Sequence, residues 1–365
     1  MFLAIRDIRF AKGRFALMGG VVALITLLLV MLSGLTAGLG NQSTSAIASL
    51  PADQLVFGAP AGSSPEASFT ESEVTGAQVA AWSAREGVGT AEALGVSQGR
   101  LQVLGGGGVP AGTANVAVFG VGAGSRLSPA PVAEGSVVVG AGTAQDLDLA
   151  VGSRVAVGGT ELAVSAVVPE QWYSHTGVVW TTLGDWRTLA HLAGSGAVAT
   201  VAAVSFEDGA GVDVAAANSA AGTVSASREG SFQALGSYRS ENGSLLLMQA
   251  FLYGISALVI VAFLTVWTVQ RTRDIAVLKA MGGSSGYVVK DAMVQAAVVL
   301  VAGAAAGGTA GVLGGLLAAR AAPFLTTPQT TLVPVAGIVV LGLAGAALAV
   351  RGVTRVDPLL ALGGN

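Results

Sequence analysis

The sequence predicts a membrane α-helical fold: four transmembrane helices, N and C termini cytoplasmic, with a large extracytoplasmic mixed α/β domain inserted between helices 1 and 2. Three observations point there. Only 11% of the 365 residues are charged and 52% are hydrophobic, whereas a soluble domain carries about 25% charged residues. Four stretches are apolar over the ~20 residues that a bilayer crossing requires. Basic residues gather at one set of ends of those stretches.

Residues 1–14 alternate Phe2, Leu3, Ile5 and Ile8 with charges and read as an amphipathic helix along the inner membrane face. The first span covers 15–40 and contains ALMGGVVALITLLLVMLSGLTAGL. Its apolar run is longer than the ~7–15 residues of a signal-peptide core. A retained signal anchor therefore fits better than a cleaved leader, although TAGLGNQ has a cleavable look. An exported segment covers 41–243 and the second span 244–270. A cytoplasmic loop with helical character covers 271–291, the third span 292–319, an outer loop 320–331, the fourth span 332–350 and a cytoplasmic tail 351–365. Arg6, Arg9, Lys12 and Arg14 precede span one. Arg271, Arg273, Lys279 and Lys290 lie between spans two and three, and Arg351 and Arg355 follow span four. The link between spans three and four holds only Arg320. The positive-inside rule then places both termini and the 271–291 loop in the cytoplasm.

The exported segment is rich in Gly, Ala, Ser, Thr and Val. Short β-like runs recur in it: DQLVFG, RLQVLG, ANVAVFG, GSVVVG, SRVAVGG, ELAVSAVV, GVVWTTL and VATVAAVSF. Helical patches are expected at TESEVTGAQVAAWSA, opened by Ser72, and at VDVAAANSAAGTV. Span three carries Gly303, Gly307, Gly311 and Gly315, a face that lets another helix approach closely. Packing within the chain is expected there.

Several chemistries are excluded. Net charge is −3 and the isoelectric point about 5.4, so no basic field holds nucleic acid. Without cysteine there are no disulfides, thiolate metal sites or cysteine nucleophiles. No GxxxxGK[ST] loop is present to cradle nucleotide phosphates. His175 and His191 are the only histidines and form no HExxH. Gly282-Gly283-Ser284-Ser285-Gly286 matches the nucleophile-elbow pattern. Both histidines are expected across the bilayer from it, so a hydrolase is disfavoured and the glycines read as a helix stop. The chain is expected to be no enzyme.

Between spans two and three, charge gathers in QRTRDIAVLKAMGGSS, 270–285. Ile275, Leu278 and Met281 share one apolar stripe, while Arg271, Asp274 and Lys279 lie mostly off it. From the residues alone this is either a lipid-anchored interfacial helix or a docking helix for a cytosolic protein. The stretch resembles the signature of FtsX/MacB-type ABC transporter permeases through Gln270, Arg271, Asp274, Ile275, Val277, Leu278, Lys279, Ala280, Met281, Gly282 and Ser284. It departs with Asp274 for Glu, Ala276 for Gly and Gly283 for Ala. The tail Arg351…Arg355-Val-Asp357-Pro358 resembles the family's ending. The resemblance implies a coupling helix, with Arg271, Arg273, Asp274, Ile275, Leu278, Lys279, Met281 and Gly282 contacting two copies of a cytosolic ABC ATPase, which hold the ATP. It also implies a permease homodimer in the cytoplasmic membrane of a bacterium, in contact with lipid.

Cargo is narrowed by looser resemblances. AIRDIRFAKGRFALMG…LSGLTAGLGNQ, QWYSHTGVVW and ALGSYRSENGSLLLMQAFLYGISA resemble the haem-export permeases of Gram-positive bacteria. Haem as cargo, with no cofactor bound permanently, is the expectation; export of another amphiphile, or force transmission to an envelope partner, is the alternative. Haem iron takes His, Cys, Met or Tyr as axial ligands. Met31 and Met248, near the outer ends of spans one and two, are candidates, with Tyr238, Tyr173 and His175. Arg239 and Glu241 are candidates for the haem edge, or for each other. Each methionine also fits plain apolar packing. Trp172, Trp180 and Trp186 are expected in the domain core, and Tyr253 in packing.

Overall fold

A computed structural model describes residues 12–105, 110–191, 196–270 and 284–354. The chain divides into two compact units, 40–242 and the combination of 1–39 with 243–365. In chain order the helices and strands are α1 Lys12–Ala48, β1 Gln54–Phe57, β2 Val74–Thr75, α2 Gly76–Ser83, β3 Val88–Leu104, β4 Pro110–Val121, β5 Ser136–Gly140, α3 Ala141–Asp146, β6 Arg154–Val157, β7 Thr160–Val168, β8 Trp172–Tyr173, β9 Thr176–Thr182, α4 Leu183–Leu189, β10 Ala197–Ala199, β11 Val201–Phe206, α5 Val214–Ala221, β12 Val224–Ser227, α6 Gly236–Gln270, α7 Ser285–Ala318 and α8 Pro328–Thr354. All eight β-like runs fall in strands. Among the described residues there are thus four long apolar helices and a mixed α/β domain.

In the unit 40–242 the strands run β12-β1-β11-β3-β4-β9-β5-β7-β6, with β8 added on β9. β3 also pairs with β6, so β3, β4, β9, β5, β7 and β6 close into a six-stranded barrel. The first half of β3 pairs with β11 and the second half with β4. One 17-residue strand therefore serves both the open sheet and the barrel. Valines fill the barrel, among them Val116, Val118, Val137, Val139, Val155 and Val179, all buried. Trp186 of α4 adds its indole to them. Gly95 and Gly120 face each other across β3 and β4, and a Cβ at either would overlap the Trp186 side chain. The indole N–H donates to Ser97 Oγ at 3.0 Å, which satisfies its one polar group.

The first helical patch starts later than expected. Thr75 is the N-cap of α2, in a capping box with Gln78. Ser72 is buried instead, donating to the Thr200 carbonyl at 2.6 Å and accepting from the Gly58 N–H at 3.1 Å. The second patch forms α5, opened by Asp213 and ended by Gly222 in the left-handed region. Trp180 and Trp186 are fully buried, whereas Trp172 is only partly so.

Helix α1 runs eight residues past the expected end of span one, and α6 starts eight residues before span two. The extra turns belong to the unit 40–242. There Ala46 and Ile47 of α1 are wholly buried in a cluster with Leu55, Phe57, Phe119 and Trp180. That burial holds NQSTSAIA helical despite its weak helix formers.

In the other unit, α7 packs along α1 through its glycines. A Cβ at Gly303, Gly307 or Gly311 would meet Gly19, Ala23 or Val30 of α1, and at Gly303 and Gly307 the obstacle includes backbone. The stripe expected to pack within the chain does so. Gly308 lies against Val335 of α8, and Gly337 and Gly345 of α8 lie against Tyr253 and Val261 of α6. Tyr253 is a packing residue, as expected.

Candidate functional site

In the unit 40–242, a cluster of polar contacts forms where a strained hairpin turn meets helix ends. β8 and β9 pair Trp172 with Gly177 and Tyr173 with Thr176. Ser174 and His175 are therefore a two-residue loop. Such loops favour turns with positive φ at both positions, and Asn-Gly is the usual occupant. Here Ser174 has φ 48° and His175 has φ 64°. A side chain in that region costs ~1–2 kcal/mol per residue, and such outliers gather at functional sites.

The turn is held by the last turns of α1 and the first of α6. The Ser174 and His175 N–H groups donate to the Ser43 and Gln42 carbonyls at 3.1 and 3.0 Å. Ser174 Oγ lies 3.1 Å from Ser237 Oγ. His175 Nε2 lies 2.9 Å from Glu241 Oε2 and 3.1 Å from Ser43 Oγ. The Trp172 N–H donates to Ser45 Oγ at 2.9 Å, and Gln171 Nε2 to Ser49 Oγ at 2.9 Å. One short hairpin thus bridges the two helices.

Ser43, His175 and Glu241 are a serine, a histidine and an acid in contact, yet they cannot act as a relay. A relay needs the acid on one ring nitrogen and the hydroxyl on the other. Here both oxygens address Nε2. The arrangement orients the imidazole and leaves Nδ1 as the nitrogen through which a ligand could be met without breaking the Glu241 contact. Glu241 pairs with His175 and not with Arg239, which is exposed and makes no ion pair among the described residues.

The remaining candidates lie apart in character. Tyr173 is buried in the core, its ring edge-on to Phe69 and Phe119 at 5.8 and 5.4 Å. Burial raises its phenol well above the ordinary value, which opposes the anionic form that binds iron. The core accounts for Tyr173 as a packing residue. Tyr238 is half-buried against Phe232, with ring centroids 5.9 Å apart. In the other unit, Met31 is half-buried with its sulfur turned toward Gly314 of α7, while Met248 is 54% exposed on α6. Gln249, next to Met248, donates to Thr36 of α1 at 3.2 Å.

Arg271, Arg273, Asp274, Ile275, Leu278, Lys279, Met281 and Gly282 lie outside the described residues. The helix that follows them opens with Ser284, whose hydroxyl accepts from the Tyr287 N–H at 3.2 Å. Ser284 is a helix cap.

In comparison with known proteins, residues 246–358 match the model of the FtsX-like permease C-terminal family, a stretch that runs through α6, α7 and α8. Over 131 residues the chain is 28% identical to a protein assigned as the hemin transport system permease HrtB of Staphylococcus epidermidis, covering 36% of this chain and 37% of that one. Over 128 residues it is 30% identical to an uncharacterized ABC transporter permease of Mycobacterium bovis, covering 33% and 34%. The matches thus span little more than a third of either relative. Among solved structures, the periplasmic region of MacB from Actinobacillus actinomycetemcomitans aligns at 13% identity, covering 49% of this chain and 90% of that one, with a TM-score of 0.35. The extracellular domain of the noncanonic ABC-type transporter YknZ from Gram-positive bacteria aligns at 14%, covering 48% and 98%, with a TM-score of 0.34.

Proposed function

We propose that this chain, which carries an FtsX-like permease domain over residues 246–358, is the membrane subunit of an ABC-type efflux pump in the cytoplasmic membrane of a bacterium. Both termini and residues 271–291 face the cytoplasm, and the α/β domain faces outward. ATP is hydrolysed by a separate ATPase, two copies of which grip residues 271–282 of a permease homodimer. The match of α6 to α8 to the permease family, with a charged segment between two long apolar helices, carries this reading. A short polar element between two membrane helices can pass a push to both.

The cargo we infer is haem, drawn from the outer leaflet and expelled. Support comes from the relative assigned to hemin transport and from donors of the right chemistry: Met31 and Met248, near the outer ends expected for spans one and two, and, in the unit 40–242, Tyr238, His175 through Nδ1 and Arg239 toward a propionate. Haemin titrated into the purified chain should shift its Soret band. Met31→Ala, Met248→Ala and Tyr238→Ala together should weaken that shift, and an unchanged triple variant would remove this site. Asp274→Lys should abolish co-purification of the ATPase; if the ATPase still co-purifies, the docking assignment fails.

A second reading is force transmission to an envelope partner. The hairpin 172–177, bonded to α1 and α6 at once, favours it, because movement of either helix end would strain the domain. Stimulation of ATP hydrolysis by haemin separates the two readings, since a force transmitter needs no cargo.

A further inference from the structure

The outer link between α7 and α8 is built to hold α1. Residues 319–327 carry Phe324 into a notch between two helices, one wall being Gly34 of α1 and the other Gly315 of α7. A methyl group at either glycine would overlap the Phe324 ring. The Pro323 carbonyl stands over Gly38, one turn further along α1, where a Cβ would collide with backbone. The Leu325 N–H donates to the Gly34 carbonyl at 3.0 Å. Ring, carbonyl and N–H from three consecutive residues therefore engage the same two turns of α1. Glycine at 34 and 38 disfavours a helix interior by ~1 kcal/mol each relative to alanine, and what that cost makes possible here is the approach of the link. One turn below, Met31 lies against Gly314, the neighbour of Gly315.

We propose that Phe324 is a positioning residue for transport: it fixes the outer half of α1 against α7 and so sets where the Met31 face of α1 stands. This rests on the pump reading above for its functional part. The geometric part stands without it. No cargo need touch Phe324. Its ring is the spacer between two helices, and its size is the quantity that matters.

The absence of cysteine allows a direct test in the full chain. Nitroxides on Leu28→Cys and Leu313→Cys, two exposed positions on α1 and α7, report the spacing of the helices. The wild-type background should give one narrow distance distribution. Phe324→Ala should broaden it, and so should Gly34→Ala, which fills the notch. Gly34→Ala combined with Phe324→Leu should narrow it again, since the smaller side chain makes room for the methyl group. In the ATPase complex, Phe324→Ala should lose most cargo-stimulated hydrolysis while basal hydrolysis stays unchanged. A distribution indifferent to Phe324→Ala overturns the proposal. So does a broadened distribution with full stimulation, because the wedge would then be structural only. If haemin fails to stimulate even the wild type, the cargo reading fails and the spacing result still decides the wedge.

Discussion

His175 Nε2 lies 2.9 Å from Glu241 Oε2, and the histidine makes that contact from a left-handed backbone with φ 64°. Two opposing terms meet in one residue. The half-exposed pair contributes ~1 kcal/mol or less. The positive φ costs ~1–2 kcal/mol for any residue with a side chain and nearly nothing for glycine. His175→Ala loses the contact and keeps the strain; His175→Gly loses both. The glycine variant should unfold at the higher temperature, by a margin worth ~1 kcal/mol. An alanine variant as stable as the glycine one would show that the turn is not strained.

Trp186 makes a sharper case. Gly95→Ala and Gly120→Ala each push a methyl group into its side chain and should cost ~1–3 kcal/mol. Gly99 is on the same strand, and a Cβ there would meet its nearest neighbours at 3.7 Å, an ordinary contact. Gly99→Ala should therefore be close to neutral. Chemical unfolding followed by tryptophan fluorescence would separate the three, and equal effects would refute the packing argument.

The membrane unit offers a paired experiment. A Cβ at Gly254 on α6 has nothing within 4 Å, whereas one at Gly307 on α7 would collide with the Ala23 carbonyl. Alanine is favoured over glycine in a helix interior by ~1 kcal/mol. Gly254→Ala should be neutral or stabilising in a detergent melt, and Gly307→Ala should lower the melting temperature. Matching behaviour of the two would mean that α1 and α7 do not pack through glycine.

Tyr173 gives a pH dependence. Burial raises its phenol pKa, so the folded chain holds the proton more tightly than the unfolded one. This contribution is fully present below the ordinary tyrosine value of about 10 and is lost as pH rises past it. Tyr173→Phe removes the group that titrates. Its stability should fall less steeply than that of the wild type above about pH 10. Parallel curves would place the phenol in water.

Much of the fold was legible because valine alternation marks strands and long apolar runs mark spans. What the sequence hid was structure made by tertiary contact. The first half of β3, VGTAEALG, has the composition of a loop and becomes strand only by pairing with β11. The end of α1 is polar and would fray but for the burial of Ala46 and Ile47. At the candidate site, His175 and Glu241 were visible one by one, 66 residues apart, and nothing in the chain announces their contact. Ser43 is one hydroxyl in a serine-rich stretch, with nothing local to mark it. The Phe324 notch was hidden because Gly34 and Gly38 read as tolerated residues of an apolar helix, and only the approach of the link gives them a purpose.

β3 belongs to two architectures at once. Peeling it from β11 would loosen the strand that also zips the barrel along β4 and β6. Neither half can melt while the other keeps its ladder intact, so the whole of 40–242 should denature in a single all-or-none event, with one midpoint whichever tryptophan reports it.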